Sequence, residues 1–272
     1  MANGHFDSSM TRVRPVFKQL YGRDPAGASW LAKLLALGSR REDVGLPKEQ
    51  DWTGALDECP QFERPELSPA NYLEWLVLNP NELDWRQLEA RPGGAETNRM
   101  RTQLRGSNQE VQGEAVRRIR AGQRRFGGGQ WHVFEGTTKV DCAITAKHVT
   151  VFVEGKRTES TLTERVTWHQ ARHQIFRNLD CLRDVCTTRH YYMMLIVEEG
   201  TSLMEQAQAL DQNADIAIKS WPHLLDAGRR ELFSHYLGFT TWQRIAEQFR
   251  PMILPHNVTE ANARGLTGPC QQ

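Results

Sequence analysis

The sequence predicts an α/β fold in which a mixed central β-sheet lies between layers of helix. Three observations predict it. Short alternating stretches cluster over residues 130–157, a continuous apolar stretch runs over Arg189–Glu199 (RHYYMMLIVEE), and helical periodicity precedes and follows both. A strand as apolar as the second is buried on both faces, and helices packed on either side of a sheet are what bury it. From Thr97 the order reads α-β-β-β-α-β, followed by helices.

Each element has a local reason. Residues 1–15 read as a loose leader, and Ala26–Leu37 as a short amphipathic helix ended near Gly38. Ser39–Leu67 is charged and proline-bearing, and reads as loop. Ser68 and Pro69 look like a cap and first turn for a helix through Asn71–Leu78. Asn81–Leu88 suggests another short helix, and Arg91-Pro92-Gly93-Gly94 then marks a boundary. The expected organisation is a helical N-terminal extension over 1–94, with Trp30, Trp52, Trp75 and Trp85 as core anchors, and a second domain over 95–272. Thr97–Gly122 reads as one helix with Val111, Ala115, Val116 and Ile119 on its apolar side. Strands are expected at Gln130–Glu135, Val140–Ala146 and Val149–Arg157, a long helix at Glu164–Asp184, the apolar strand at Arg189–Glu199, and helices at Ser202–Asn213, Ala214–Asp226, Gly228–Leu237 and Thr240–Phe249.

Composition narrows the function classes. At 272 residues and 39% hydrophobic content, the chain is long enough for a sizeable core in one or two domains. The net charge of +1 marks no polyanion partner for the whole chain. Locally, Arg99–Arg125 holds eight arginines against Glu110 and Glu114, an excess suited either to a solvated helix face or to phosphates. The five cysteines follow no metal or disulfide spacing, so reduced thiols are expected. The N-terminus has no apolar secretory core and no run of 18 apolar residues occurs, so the expectation is a cytoplasmic protein with no membrane span. No Walker-type loop or dinucleotide fingerprint is present.

The informative stretch is Lys139–Arg157, KVDCAITAKHVTVFVEGKR. It reads as a hairpin turning at Lys147–His148. That register sets Asp141 opposite Glu154, and strand alternation puts Phe152, Glu154 and Lys156 on one face. Two facing carboxylates repel, unless a shared divalent cation turns them into a ligand pair. A lysine beside them is suited to an attacking hydroxide or a developing negative charge.

A glutamate-bearing helix, Asp141 in "KVDCAI" and Glu154-Gly155-Lys156 in "VFVEGKRTE" together resemble the PD-(D/E)xK nuclease superfamily, over about Thr97–Glu199. Val140 stands where the family usually has proline. The resemblance implies a restriction-endonuclease-like core and a Mg²⁺-dependent nuclease acting on DNA, with Mn²⁺ able to substitute. Asp141, Glu154 and the Gly155 carbonyl would hold the metal, and Lys156 would serve the water and the phosphorane. Glu114 would be the helix ligand, with Glu110 as its alternative, and Gln174 the glutamine of the following helix. Arg117, Arg118, Arg157, Arg172 and Arg177 are the expected phosphate contacts. A homodimer and a role in restriction or defence against foreign DNA are compatible with it. The alternative is a catalytically silent nucleic-acid-binding or assembly protein on the same fold.

Overall fold

A computed structural model describes residues 6–46, 56, 58–86, 93–125, 129–163, 168–186, 188 and 190–268. It is α/β, with a mixed, open five-stranded sheet and twelve helices among the described residues. The sheet order is β1 (Gln61–Glu66), β2 (Thr138–Ala146), β3 (Val149–Gly155), β4 (His190–Val197), β5 (Tyr236–Thr241). The first three strands are antiparallel neighbours, while β3, β4 and β5 run parallel.

One side of the sheet is covered by the N-terminal segment. A π-helical turn (Ser9–Val13) leads into α1 (Arg14–Arg23), and α2 (Leu31–Leu35) and α3 (Arg41–Val44) follow. Val13, Val16, Phe17, Leu34 and Leu35 pack there with Val151, Val153, Met194 and Trp242. Residues 9–15 of the segment expected as a loose leader are therefore part of the core, while residues 1–5 lie outside the described residues. Apolar residues three and four apart give it a buried stripe despite its polar composition. The other side is covered by α7 (Gln174–Val185), α8 (Ser202–Gln212), α9 (Ala214–Ser220) and α10 (Asp226–Phe233). There Ile175, Phe176 and Leu179 meet Phe152, Met193 and Leu195.

Between β1 and β2 the chain builds a separate helical lobe: α4 (Ala70–Leu78), a 3₁₀ turn (Pro80–Glu82), α5 (Ala95–Arg105) and α6 (Gln109–Arg120). Its own cluster joins Tyr72, Leu76, Leu104, Ile119 and Trp131 with Trp168. α11 (Trp242–Gln248) and α12 (Val258–Ala263) end the described chain.

Several expectations are corrected. The first strand is not Gln130–Glu135, which is irregular, with Trp131, Val133 and Phe134 buried beside the lobe. It is Gln61–Glu66, from the stretch expected as loop; its Pro65 is tolerated because β1 is an edge strand. The N-terminal third is thus joined to the sheet by a strand rather than appended as a helical extension. Thr97–Gly122 divides into α5 and α6, where Ser107 adopts a left-handed φ of 56° and Asn108 caps Val111. Tyr236–Thr241 is a strand, not helix, and its Gly238 has a φ of 78°. Ser68 does not cap α4; its hydroxyl donates to Glu135 at 2.7 Å. Cys142, Cys181 and Cys186 are free thiols, but Cys59 is disulfide-bonded, against the expectation of fully reduced cysteines. Trp30 is buried, while Trp52 lies outside the described residues.

Candidate active site

The β2–β3 hairpin turns where expected. Ala146 pairs with Val149 and Cys142 with Val153, so the next facing positions are Asp141 and Glu154. Strand alternation gives Phe152 and Glu154 to the α7 side, while Val151, Val153 and Gly155 face the N-terminal helices. Gly155 has a packing reason: a Cβ there would lie 2.4 Å from Val13 Cγ2 and 2.7 Å from Trp242 Cζ2. Past the strand end, the Lys156 backbone is pinned twice. Its N–H donates to the Ile196 carbonyl (2.8 Å), and its carbonyl accepts from Trp242 Nε1 (3.1 Å).

Glu154 is 1% exposed and receives three donors. Lys156 Nζ lies 3.0 Å from Oε1, Gln174 Nε2 donates to the same oxygen at 2.6 Å, and Asn178 Nδ2 donates to Oε2 at 3.0 Å. Gln174 and Asn178 are four apart on α7 and so share a face. Asp141 accepts the Gly155 N–H through Oδ2 at 2.8 Å; among the described residues its Oδ1 accepts no hydrogen bond. Behind Asn178 the contacts continue, with Thr138 Oγ1 donating to Asn178 Oδ1 (2.7 Å) and Arg177 Nη2 donating to Thr138 Oγ1 (2.6 Å).

The electrostatics follow from burial. Burial pushes the Asp141 carboxyl well above its ordinary range, and the facing charge of Glu154 adds to that, against the Gly155 N–H and Lys156. Burial also raises Glu154, with Lys156 and Arg177 opposing. Burial alone would lower Lys156, but Glu154 and Asp141 together raise it, so it stays an ammonium. Glu159 acts on all three groups; its carboxylate is held by Ser8 Oγ (2.7 Å) and the Arg157 N–H (2.6 Å).

The structure thus brings together Asp141, Glu154, Gly155, Lys156 and Gln174, with Arg177 beside them. It does not bring the other predicted residues there. Glu114 lies on α6, which packs on α4 and α5, and its carboxylate is held by Arg117 and Arg118, each at 2.7 Å. Glu110 is exposed on the same helix. Arg117 and Arg118 stay with Glu114 in the lobe, with Arg118 also 5.8 Å from the Trp131 ring centre. Arg172 is 1% exposed, so it offers phosphate no access. Its guanidinium sits between Glu135 (3.3 Å) and Asp180 (2.9 Å), 3.7 Å above the Tyr72 ring centre. Arg157 is buried too, donating to Thr11 and to the His256 carbonyl. Gln170 precedes α7 and donates to Asp84.

No protein-family model, curated protein or solved structure matches the chain. The site is therefore read from its own chemistry. Asn178 is the member that sequence reasoning missed; its signal was the spacing of four from Gln174. Glu159 and Ser8 carried none, because their approach depends on how the N-terminal segment packs.

Among the described residues no three His, Cys, Asp or Glu side chains form a metal-binding group. The hairpin offers two carboxylates, one with an uncommitted oxygen, and the peptide of Gly155. That donor set fits Mg²⁺, which uses one or two carboxylates and takes its remaining oxygens from water and phosphate.

Proposed function

We propose that this chain is a metal-dependent nuclease that hydrolyses phosphodiester bonds of DNA, with Mg²⁺, or Mn²⁺ in its place, held by Asp141, Glu154 and the Gly155 carbonyl. The observation that carries the reading is the half-buried Asp141 and the buried Glu154, set on facing strands with Lys156 against Glu154. When bound, the metal acidifies a water and neutralises the scissile phosphate. Lys156 orients the attacking water and offsets charge that develops on the phosphoryl oxygens. Gln174 and Asn178 position the Glu154 carboxylate from α7. Arg177, half-buried beside Thr138, takes the neighbouring phosphate. A homodimer and a part in restriction or defence against foreign DNA are consistent with this activity.

The test is cleavage of plasmid and linear duplex in Mg²⁺ or Mn²⁺. Wild type cuts, while Asp141→Asn and Lys156→Ala do not. Calorimetric titration of Mn²⁺ gives binding that Glu154→Gln abolishes. One observation favours a second reading, a silent nucleic-acid-binding or assembly protein: Lys156, Gln174 and Asn178 already satisfy Glu154 without a metal. Wild type that binds DNA or RNA, cuts neither and takes up no Mn²⁺ establishes that reading instead.

A further inference from the structure

Beside this site lies a cavity of about 190 Å³ between the start of α7, α9 and the chain before them. Its walls include Thr163, Gln170, Ala171, His173, Ile216 and Lys219. Two features tie it to the hairpin. Thr163 Oγ1 accepts the N–H of Gln174, whose side chain holds Glu154. His173 is close enough to Lys156 for the ammonium to act on its ring.

The lining suits a particular chemistry. Ala171 and Ile216 give apolar surface, and the half-buried Ile216 can lie against a flat ring. The His173 Nδ1 accepts the Ile175 N–H at 3.3 Å, so a neutral ring carries its proton on Nε2 as a donor. Burial, with the charge of Lys156, pulls the His173 pKa down to about 4, which keeps that ring neutral. Lys219 is exposed at the rim and adds a second donor. A planar, acceptor-rich ring with apolar faces matches these walls, and a nucleobase is such a ring.

We propose that the cavity holds one nucleobase of the strand whose phosphate lies at Lys156, taken out of its stack against Ile216 with its acceptors toward His173 and Lys219. The inference rests on the nuclease reading and narrows its substrate. Extruding a base is least costly from single-stranded, frayed or mismatched DNA, so such substrates are preferred over intact duplex.

The test needs neither metal nor cleavage. Thymidine 5′-monophosphate and adenosine 5′-monophosphate are titrated calorimetrically into the full chain, with ribose 5-phosphate and inorganic phosphate as probes lacking a base. The nucleotides bind at least about tenfold more tightly than ribose 5-phosphate, and Ile216→Trp, which fills the cavity, removes about that factor while leaving phosphate binding unchanged. Ribose 5-phosphate binding as tightly as the nucleotides, or an Ile216→Trp protein of unaltered melting temperature that keeps full nucleotide affinity, overturns the proposal. Should Ile216→Trp fail to fold, saturation-transfer NMR on wild type decides: saturation strongest on the base protons supports the pocket, and saturation on ribose protons alone, or none, refutes it. A protein that binds nucleotides through the base but cuts nothing refutes only the nuclease reading. One that cuts DNA without discriminating nucleotide from ribose 5-phosphate refutes only the pocket.

Discussion

Gly155 carries two demands at once. It separates the glutamate and the lysine of the site, and it is the floor on which Val13 and Trp242 rest. Its atomic neighbours are a core side chain and an aromatic ring, neither free to swing away. Gly155→Ala is therefore expected to destabilise the fold by about 1–3 kcal/mol, read as a lower urea midpoint at unchanged slope. Arg172 shows the opposite kind of legibility. In sequence it is one arginine among several on a polar stretch. In the fold it is a buried cation between Glu135 and Asp180, donating also to the Ser220 carbonyl at 2.8 Å. Nothing in its spacing separates those roles, because Glu135, Ser220 and Tyr72 come from distant parts of the chain. Arg172→Ala leaves the buried Glu135 without its cation and Asp180 with Arg183 alone of its two arginines, at 3.2 Å, and is expected to cost about 3–5 kcal/mol. On the proposed nuclease function, its folded fraction should bind DNA as wild type does, which a filter-binding titration checks; Arg177→Ala should weaken binding instead.

At the scale of elements, the hairpin was the most legible part, for a physical reason. Strand periodicity is two and the turn holds two residues, so locating the turn fixes which acids face each other. α7 was legible in existence but not in extent. His173 is extended (φ −83°, ψ 135°) and its side chain caps Ile175, so the helix starts at Gln174; residues 168–173 of the expected helix are irregular, and 164–167 lie outside the described residues. That start aims Gln174 and Asn178 at Glu154. On the proposed nuclease function, either residue changed to Ala is expected to lower Mn²⁺ affinity or cleavage about 10–100-fold, the usual effect of loosening a group that holds a ligand. A midpoint of thermal unfolding close to wild type would separate this from simple unfolding. β1 was not legible, because QFERPE has no clean alternation and carries a proline. Its half-buried residues at the sheet edge relax the pattern that a central strand must keep. β5 was hidden by its brevity and by helical periodicity on both sides.

Over the whole molecule, one contact between the lobe and the chain ahead of α7 contributes to the response to acid. His169 Nδ1 lies 3.1 Å from the Tyr72 hydroxyl, which donates to it when the ring is neutral. Burial, helped by the charge of Arg172, lowers the His169 pKa from the ordinary 6.5 to about 4. A histidine with a depressed folded pKa binds fewer protons folded than unfolded, so its contribution is intact above pH 6.5 and is lost as the pH falls toward 4. The expected loss is on the order of 3 kcal/mol for this group. Melting temperature should thus fall between pH 7 and pH 5, and less so in His169→Gln. Asp180 acts in the same direction at lower pH, since Arg172 and His223 hold its carboxyl below the ordinary range against the effect of burial. The lobe's place in the chain has one more consequence. Glu66 and Thr138 are partners on the last rung between β1 and β2, so residues 67–137 leave and re-enter the sheet at a single point. In its route the chain is a hairpin whose loop has grown into a lobe, and a tight turn would close the same ladder. In its charge balance the loop stays tied to the rest, for Glu135 lies inside it while Arg172 and that cation's second carboxylate, Asp180, lie outside. The lobe is detachable as a path but supplies half of a buried counter-ion pair.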